Sequence, residues 1–373
     1  MENFQPLYHH SNKDYDTAAS EAARFARDKI EKMIGEGQSR ALSVIEDVQK
    51  HVPRDRIVRD EVLTFRYKGG LHVQAKGESE EPVHDHAYRQ LLERAGVPNT
   101  YANTLIHEGQ SWATDLLVHN LNTVYGYSGE RHLMRSDNGV LKGFLSDRFR
   151  RLDSAPLIES FAQSMQAVGA VPVEGRMTDT RVFIKAMLPV VYEPAKNEIV
   201  AFGIQWENSD YGNGAHNLRS FLVRLWCTNF AVAEEGLRQV HVGGKLAEDI
   251  SFSEETYRLD TETTASAIRD VVKHSLSARN THLMLNGIKE AHEQRVDPKK
   301  AISILKKQLS KGEVEQVIEA FNSPDIENLP PGQTMWRLSN AISWVAGKIE
   351  NRERAMELER EAGHHVMGLK KVA

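Results

Sequence analysis

Residues 171 to 228 constrain the fold most: three apolar runs, RVFIKAML, IVAFGIQW and NLRSFLVRLW, follow one another with turn-forming residues between them. In RVFIKAML, Val182, Ile184, Ala186 and Leu188 fall on one face, the period of two that defines a strand. IVAFGIQW is apolar throughout, as a central strand covered on both sides must be. NLRSFLVRLW also fits helical spacing through Leu218, Phe221, Leu222 and Leu225. Asn208 to Gly214 reads as a hairpin loop before it, and Thr228-Asn229 as the cap of a helix after it, which favours a strand. Such a segment needs a sheet, and the sheet needs helices to cover it.

Helical patterning supplies the cover. Residues 14 to 51 carry helical apolar spacing, and Gly35 and Gly37 are expected to split the stretch into two helices, since glycine costs roughly 1 kcal/mol inside a helix. VLTFRY and LHVQAK flank Lys68-Gly69-Gly70, and RHLMRS and VLKGFLS flank Asp137-Asn138-Gly139. Both read as hairpins. Residues 84 to 122 return to helix with a break at Gly96-Val97-Pro98, and Asp153 or Ser154 caps a helix over 156 to 168. From 261 onward the pattern is helical, broken near Pro298, near Gly312 and across NSPDIENLPPGQ, residues 322 to 333, the best linker candidate. Beyond it Leu338, Ile342, Val345, Ile349 and Met356 form an amphipathic stripe that suits either a partner helix or the chain's own domain.

The expected class is α+β: a central antiparallel sheet of hairpins with packed helices, flanked by an N-terminal helical segment and an all-helical C-terminal region. The expected divisions are 1–55, the helical segment; 56–260, the α+β core; 261–321, a helical extension; and 334–373, a C-terminal helix that is a candidate assembly element. Hydrophobic residues make up 40% and charged residues 27%, with no apolar run long enough for a membrane span, so a folded chain without a membrane partner is expected. The first residues, MENFQPLYHHSNKDYD, lack the basic and apolar blocks of a secretory signal, and the single cysteine, Cys227, has no internal partner. Both features point to the cytoplasm.

Motifs for chemistry are scarce. Gly243-Gly244-Lys245 lacks the other residues of a phosphate-binding loop, and Gly35-Glu36-Gly37 has no strand before it. Ser303-Ile304-Leu305-Lys306 stands without the companion motifs of serine acyl-enzymes. His9-His10, His84-x-His86 and His364-His365 are the dense histidine spacings, and no H-E-x-x-H occurs. In His84-Asp85-His86, Asp85 is placed to interact with a helix N-terminus. No catalytic residue, metal ligand or cofactor is assigned. Cys227 reads as a buried thiol, and Glu207, Asp210 and His216 are the one acid–base set that the glycine loop could gather.

Charge is more informative. A net charge of −5 excludes a uniformly basic coat, so any nucleic-acid surface must be local. Residues 131 to 151 hold Arg131, Arg135, Lys142, Arg148, Arg150 and Arg151 against Asp137 and Asp147. Residues 295 to 311 hold Arg295, Lys299, Lys300, Lys306, Lys307 and Lys311 against Asp297. On RVFIKAML the face opposite the core carries Arg181, Phe183, Lys185 and Met187. Cations interleaved with an aromatic suit single-stranded nucleic acid, whereas a covered outer face is the plainer reading. The loop NSDYGNG, 208 to 214, suits either phosphate approach with Tyr211 stacking or a simple hairpin turn.

Several phrases occur together in order: HAYRQLLERAGVPNTYANTL from His86, GVLKGFLSDRFRRLD, RVFIKAML, GIQWENSDYGNGAHNLRSFLVRLWCTN and RQVHVGG. Over residues 60 to 290 the chain resembles the phage/plasmid-like family of bacterial proteins classed as a domain of unknown function. It departs from that pattern at Phe230, where glycine or threonine is commoner. The resemblance implies a setting among recombination and replication functions. The hairpin-and-helix architecture is also similar to that of Rad52-like phage single-strand annealing proteins.

The expected function is therefore a DNA-binding protein that holds single-stranded DNA and promotes annealing or recombination. Arg148, Arg150, Arg151, Arg181, Lys185, Arg219 and Arg224 are the candidate phosphate contacts, with Phe183 and Tyr211 as stackers. The C-terminal helices would assemble a homo-oligomer or bind a host partner. The alternatives are a nucleic-acid-processing enzyme and an interaction protein that inhibits a host defence or replication factor.

Overall fold

The computed structural model describes residues 4–10, 21–226, 229–239, 252–323, 326 and 329–367. Cys227, Gly243-Gly244-Lys245 and part of the 322–333 linker lie outside them. The first elements are β1 (Tyr8–His9), α1 (Glu21–Lys50), β2 (Arg54–Arg59), β3 (Leu63–Tyr67), β4 (Leu71–Ala75) and β5 (Glu81–Pro82). Three helices, α2 (Asp85–Arg94), α3 (Asn99–His107) and α4 (Ser111–Ser128), lead to the hairpin β6 (Arg131–Asp137) and β7 (Val140–Ser146). Then come α5 (Ser154–Ala167) and the strands β8 (Val171–Met177), β9 (Val182–Ala195), β10 (Glu198–Asn208), β11 (His216–Arg224) and β12 (Asn229–Gln239). The chain continues as α6 (Glu254–Ser275), α7 (Ala278–Glu293), α8 (Pro298–Leu305), α9 (Lys311–Asn322), α10 (Met335–Ala346) and α11 (Arg352–Met367). The fold is α+β with antiparallel pairing between its strands.

The largest sheet runs β1-β9-β10-β11-β12, with β8 also paired to β9. Its registers set Lys185 and Arg219 on either side of Gln205, and Ile184 and Leu218 on either side of Trp206. Both faces are covered. Ile184, Ala186, Ile204, Trp206 and Leu218 pack under α5 and α6. Further along the same face, Val200, Phe202 and Leu222 pack with the helices α7 to α11. On the opposite face Met187, Val191, Ala201 and Val223 meet Ala26 and Ile30 of α1. Two smaller sheets, β2-β6-β7 and β3-β4-β5, share a core with α2, α3 and α4 built around Phe65, Leu91, Leu121, Tyr125 and Phe144.

Three expectations about elements need correction, and two further findings extend them. The helix α1 runs unbroken through Gly35 and Gly37. A Cβ on Gly37 would fall 1.7 Å from the Val173 carbonyl oxygen, and one on Gly175 would fall 2.5 Å from the Ala41 Cα. Those glycines let α1 lie directly on β8, and that packing outweighs the propensity cost. Residues 229–239 form β12 rather than a helix after a cap, because β11 offers them a free edge to pair with. The helical stretch from 84 breaks a second time at Gly109, whose φ of +70° ends α3. The charged run RDRIVR, with no alternation to mark it, becomes β2 by pairing with β6. The stripe Leu338, Ile342 and Val345 faces this chain's own core, where Trp336 donates to Glu198 at 2.7 Å and Arg337 binds the carbonyls of Phe321 and Ala320 at the end of α9.

Candidate nucleic-acid interface

The phrases FLSDRFRRLD and NSDYGNG meet in space. After β7 the chain turns at Ser146, whose carbonyl accepts the Phe149 N–H at 2.9 Å, and then enters α5 at Ser154. The expected cap Asp153 stands at the N-cap position without bonding there. Asp210 of the glycine loop takes that part, its Oδ1 accepting from the Ser154 N–H at 2.8 Å and hydroxyl at 2.7 Å. Asn208 Nδ2 donates to the Leu152 carbonyl at 2.6 Å. Arg135 of β6, 1% exposed, fastens the rest: it donates to the Asp210 carbonyl at 2.6 Å, to Asp55 at 2.7 Å and to Asp153 at 2.6 Å. Burial first, and the Asp153 charge second, push the Asp210 carboxyl above its ordinary value.

This geometry gives the loop residues structural employment. Tyr211 is buried, its ring pressed on Gly143 with the Lys142 ammonium 5.7 Å from the ring centre, and its carbonyl accepts from His86 and Gln90. Gly212, at φ +77°, has Leu145 2.6 Å from where a Cβ would stand. The seven residues exceed a minimal turn because they hold α2, β7 and α5 together. Tyr211 as a free base stacker is thereby corrected.

The cations expected to hold phosphates are mostly engaged within the chain. Arg150 forms a two-pronged pair with Asp260 at 2.6 and 2.5 Å. Arg151 reaches Asp55 at 3.2 Å and Glu254 at 3.1 Å, with Tyr257 stacked 4.5 Å from its guanidinium. Lys185 lies between Glu174 and Glu359, each at 3.4 Å. Arg219 pairs with Glu207, and Arg224 with Glu198 at 2.6 Å. Arg181 sits 5.0 Å over Phe183, which is half-buried, and 3.7 Å from Glu207. A phosphate would have to displace a carboxylate to reach Arg150, Arg151, Lys185, Arg219 or Arg224, so these assignments are corrected to internal ion pairs. Arg148 is looser, 4.0 Å from Asp147 and with 31% of its side chain exposed.

The second basic run behaves differently. Arg295, Lys299, Lys300, Lys306, Lys307 and Lys311 are all exposed, and among the described residues none is paired with a carboxylate. The lone acid of the run, Asp297, is occupied as the cap of α8, accepting from the Lys299 N–H at 2.8 Å. Ala301, Leu305 and Leu309 anchor the segment in the core, so the row of cations stands on a fixed scaffold. The surplus was visible in the sequence. Its availability was not, because the carboxylates that neutralise the other run, Asp55, Glu254 and Asp260, come from distant parts of the chain.

Other groups fit no reaction centre. Glu207 binds Asn217 and Arg219 on one face of the sheet, whereas His216 accepts from Trp206 Nε1 at 3.0 Å on the other face, and Asp210 holds α5. His84 caps α2 through its own Nδ1, accepting from the His86 N–H, and Asp85 stands in the first turn of the same helix, where its charge meets the helix N-terminus as expected. Asp60, Glu130 and His132 each bring one ligand-type atom within 4.8 Å of the others, but Asp60 is committed to His132 Nδ1 at 2.7 Å and to Ser128. Among the described residues no helix is long and apolar enough to cross a membrane. In comparisons with known proteins, the chain matches no family model, no curated protein and no solved structure.

Proposed function

We propose that this chain is a phage- or plasmid-type DNA-binding protein that holds single-stranded DNA through the cation row of residues 295–311 and promotes annealing or recombination. The observation that carries the reading is that row: six exposed cations with no carboxylate partner among the described residues, on a turn-and-helix scaffold anchored in the core, in a chain of net charge −5. Long-range attraction towards polyanions follows from such a polarised surface. Holding a strand by its phosphates leaves the bases open to pair with a second strand, so annealing needs no bond-making residue. The dispersal of Glu207, Asp210 and His216 into separate networks favours this binding role over the enzyme alternative. The resemblance of FLSDRFRRLD and NSDYGNG to the phage/plasmid-like family supplies the biological setting.

The test is charge reversal. Lys299→Glu, Lys300→Glu, Lys306→Glu and Lys307→Glu together are expected to abolish binding of a labelled single-stranded oligonucleotide at moderate salt. Arg150→Ala, which removes an internal pair, is expected to leave affinity in place. Unchanged affinity in the fourfold variant would sink the proposal.

A further inference from the structure

The helix α4 buries one side and keeps several large apolar side chains on its outward side, among the exposed polar residues Asp115, His119 and Thr123. Ala113, Leu117, Leu121 and Tyr125 enter the core beside β3 and β7. The outward side carries Trp112 at 57% exposure, Leu116 at 38%, Val124 at 37% and Tyr127 at 88%, and Tyr101 of α3 adjoins at 40%. Asn120 Nδ2 lies 3.4 Å from the Tyr101 hydroxyl, which places that ring beside the middle of the row. Large apolar side chains gathered along one exposed helix are a common mark of a contact surface.

We infer that the outer face of α4 pairs with the same face of a second copy of this chain, antiparallel and about a two-fold axis through Asn120. The arrangement of the row is the first argument. Leu116 and Val124 stand equally far on either side of Asn120, and Trp112 and Tyr127 mark the two ends. Run antiparallel against itself, the row brings Leu116 of one copy to Val124 of the other, Trp112 to Tyr127, and Asn120 to its own mate. An isologous interface requires such self-complementarity, and one central asparagine fixes the register of a helix pair. Size is the second argument. Trp112 to Tyr127 spans about 22 Å of helix. The exposed parts of the five side chains offer on the order of 600 Å² per copy before flanking polar atoms are counted, against roughly 800 Å² per partner in a standard interface.

Charge excludes the other obvious occupant. Between Arg94 and Arg131 the sequence contains no lysine or arginine, while Glu108, Asp115 and Glu130 lie in that stretch. A polyanion finds nothing to hold there, and two copies bring no like-charged cations together. The pairing is therefore independent of the nucleic-acid reading and of residues 295–311.

The experiment is mass by light scattering on the full-length protein, free of nucleic acid, over a concentration series at low and high salt. The expected result is twice the mass of one chain, retained at high salt because the contact is apolar. Leu116→Lys, at an exposed site, is expected to raise the dimer dissociation constant about tenfold or more while leaving the circular-dichroism spectrum of the folded chain unchanged. In a Cys227→Ser background, Asn120→Cys is expected to form a disulfide with its mate under mild oxidation, and Asn103→Cys, off the axis, is not. A single-chain mass for the unaltered protein at every concentration would overturn the proposal. So would a dimer indifferent to Leu116→Lys.

Discussion

Arg135 shows what one side chain can hold. Its guanidinium is nearly inaccessible and joins three segments remote in sequence, through Asp55, Asp153 and the Asp210 carbonyl. Arg135→Met is expected to lower unfolding free energy by roughly 3–5 kcal/mol near pH 7, because Asp153 and the buried Asp210 lose their neighbouring cation and Asp55 keeps only Arg151. The pH dependence has a definite sign. Burial raises the carboxyls of both Asp55 and Asp210 above their unfolded values, so the folded state takes up protons first as pH falls. Stability from these groups is thus greatest at low pH and is lost as pH rises through their folded values. Without Arg135 both carboxyls shift further up, and the penalty of the substitution is expected to shrink between about pH 7 and pH 4. Urea unfolding of both proteins at the two pH values checks it; a constant difference would contradict the assigned cause.

Among the elements, the contact of α1 with β8 makes the sharpest claim. Gly37→Ala places a methyl against the Val173 backbone and is expected to destabilise by about 2 kcal/mol or more, since backbone cannot step aside as a side chain would. Gly35→Ala, with open space around it, is expected to stabilise by roughly 0.5–1 kcal/mol through helix propensity. Opposite signs two residues apart would be read directly in thermal melts, and matching signs would contradict the packing. The same pair shows where sequence reading stops. Alternation in RVFIKAML and the Asp137-Asn138-Gly139 turn, with Asn138 at φ +50° and Gly139 at +76°, are local signals and were legible. Whether a helical glycine is a break or a contact depends on a strand more than a hundred residues away. The strand β12 escaped notice for the same reason, since its partner edge exists only once β11 is in the sheet. Basic runs obey this rule too: composition located both, but only the folded chain brings Asp260 to Arg150 and leaves Lys306 exposed.

For the molecule as a whole, the C-terminal helices bear on the sheet's integrity. Trp336, Leu338, Ile342 and Val345 belong to the same core as Val200, Phe202 and Leu222, and Trp336 also donates to the Glu198 that neutralises Arg224. A chain ended at residue 333 is expected to lose its cooperative unfolding transition, because a large apolar flank of the sheet would be exposed and a buried ion pair opened. A truncated protein with an unaltered melt would show that this region is dispensable to the core. With those helices fixed inside, two outward-facing features of the described residues concern partners: the apolar row of α4, and the cations of 295–311. They lie on different elements, so on the two proposals together a dimer would present two cation rows to nucleic acid, as bringing two strands together requires.

The central claim is that those cations hold a phosphate backbone, and its most direct test is the salt dependence of single-strand binding. Each phosphate contact contributes about 0.7 to the slope of log affinity against log salt, so full engagement of the row gives a slope of about 4 in magnitude. The account predicts binding at low salt with a slope approaching that value. It also predicts that replacing Lys299, Lys300, Lys306 and Lys307 with alanine flattens the slope, and that replacing Arg150 leaves it alone. Absence of binding at low salt, or a slope unmoved by the four alanines, would contradict it.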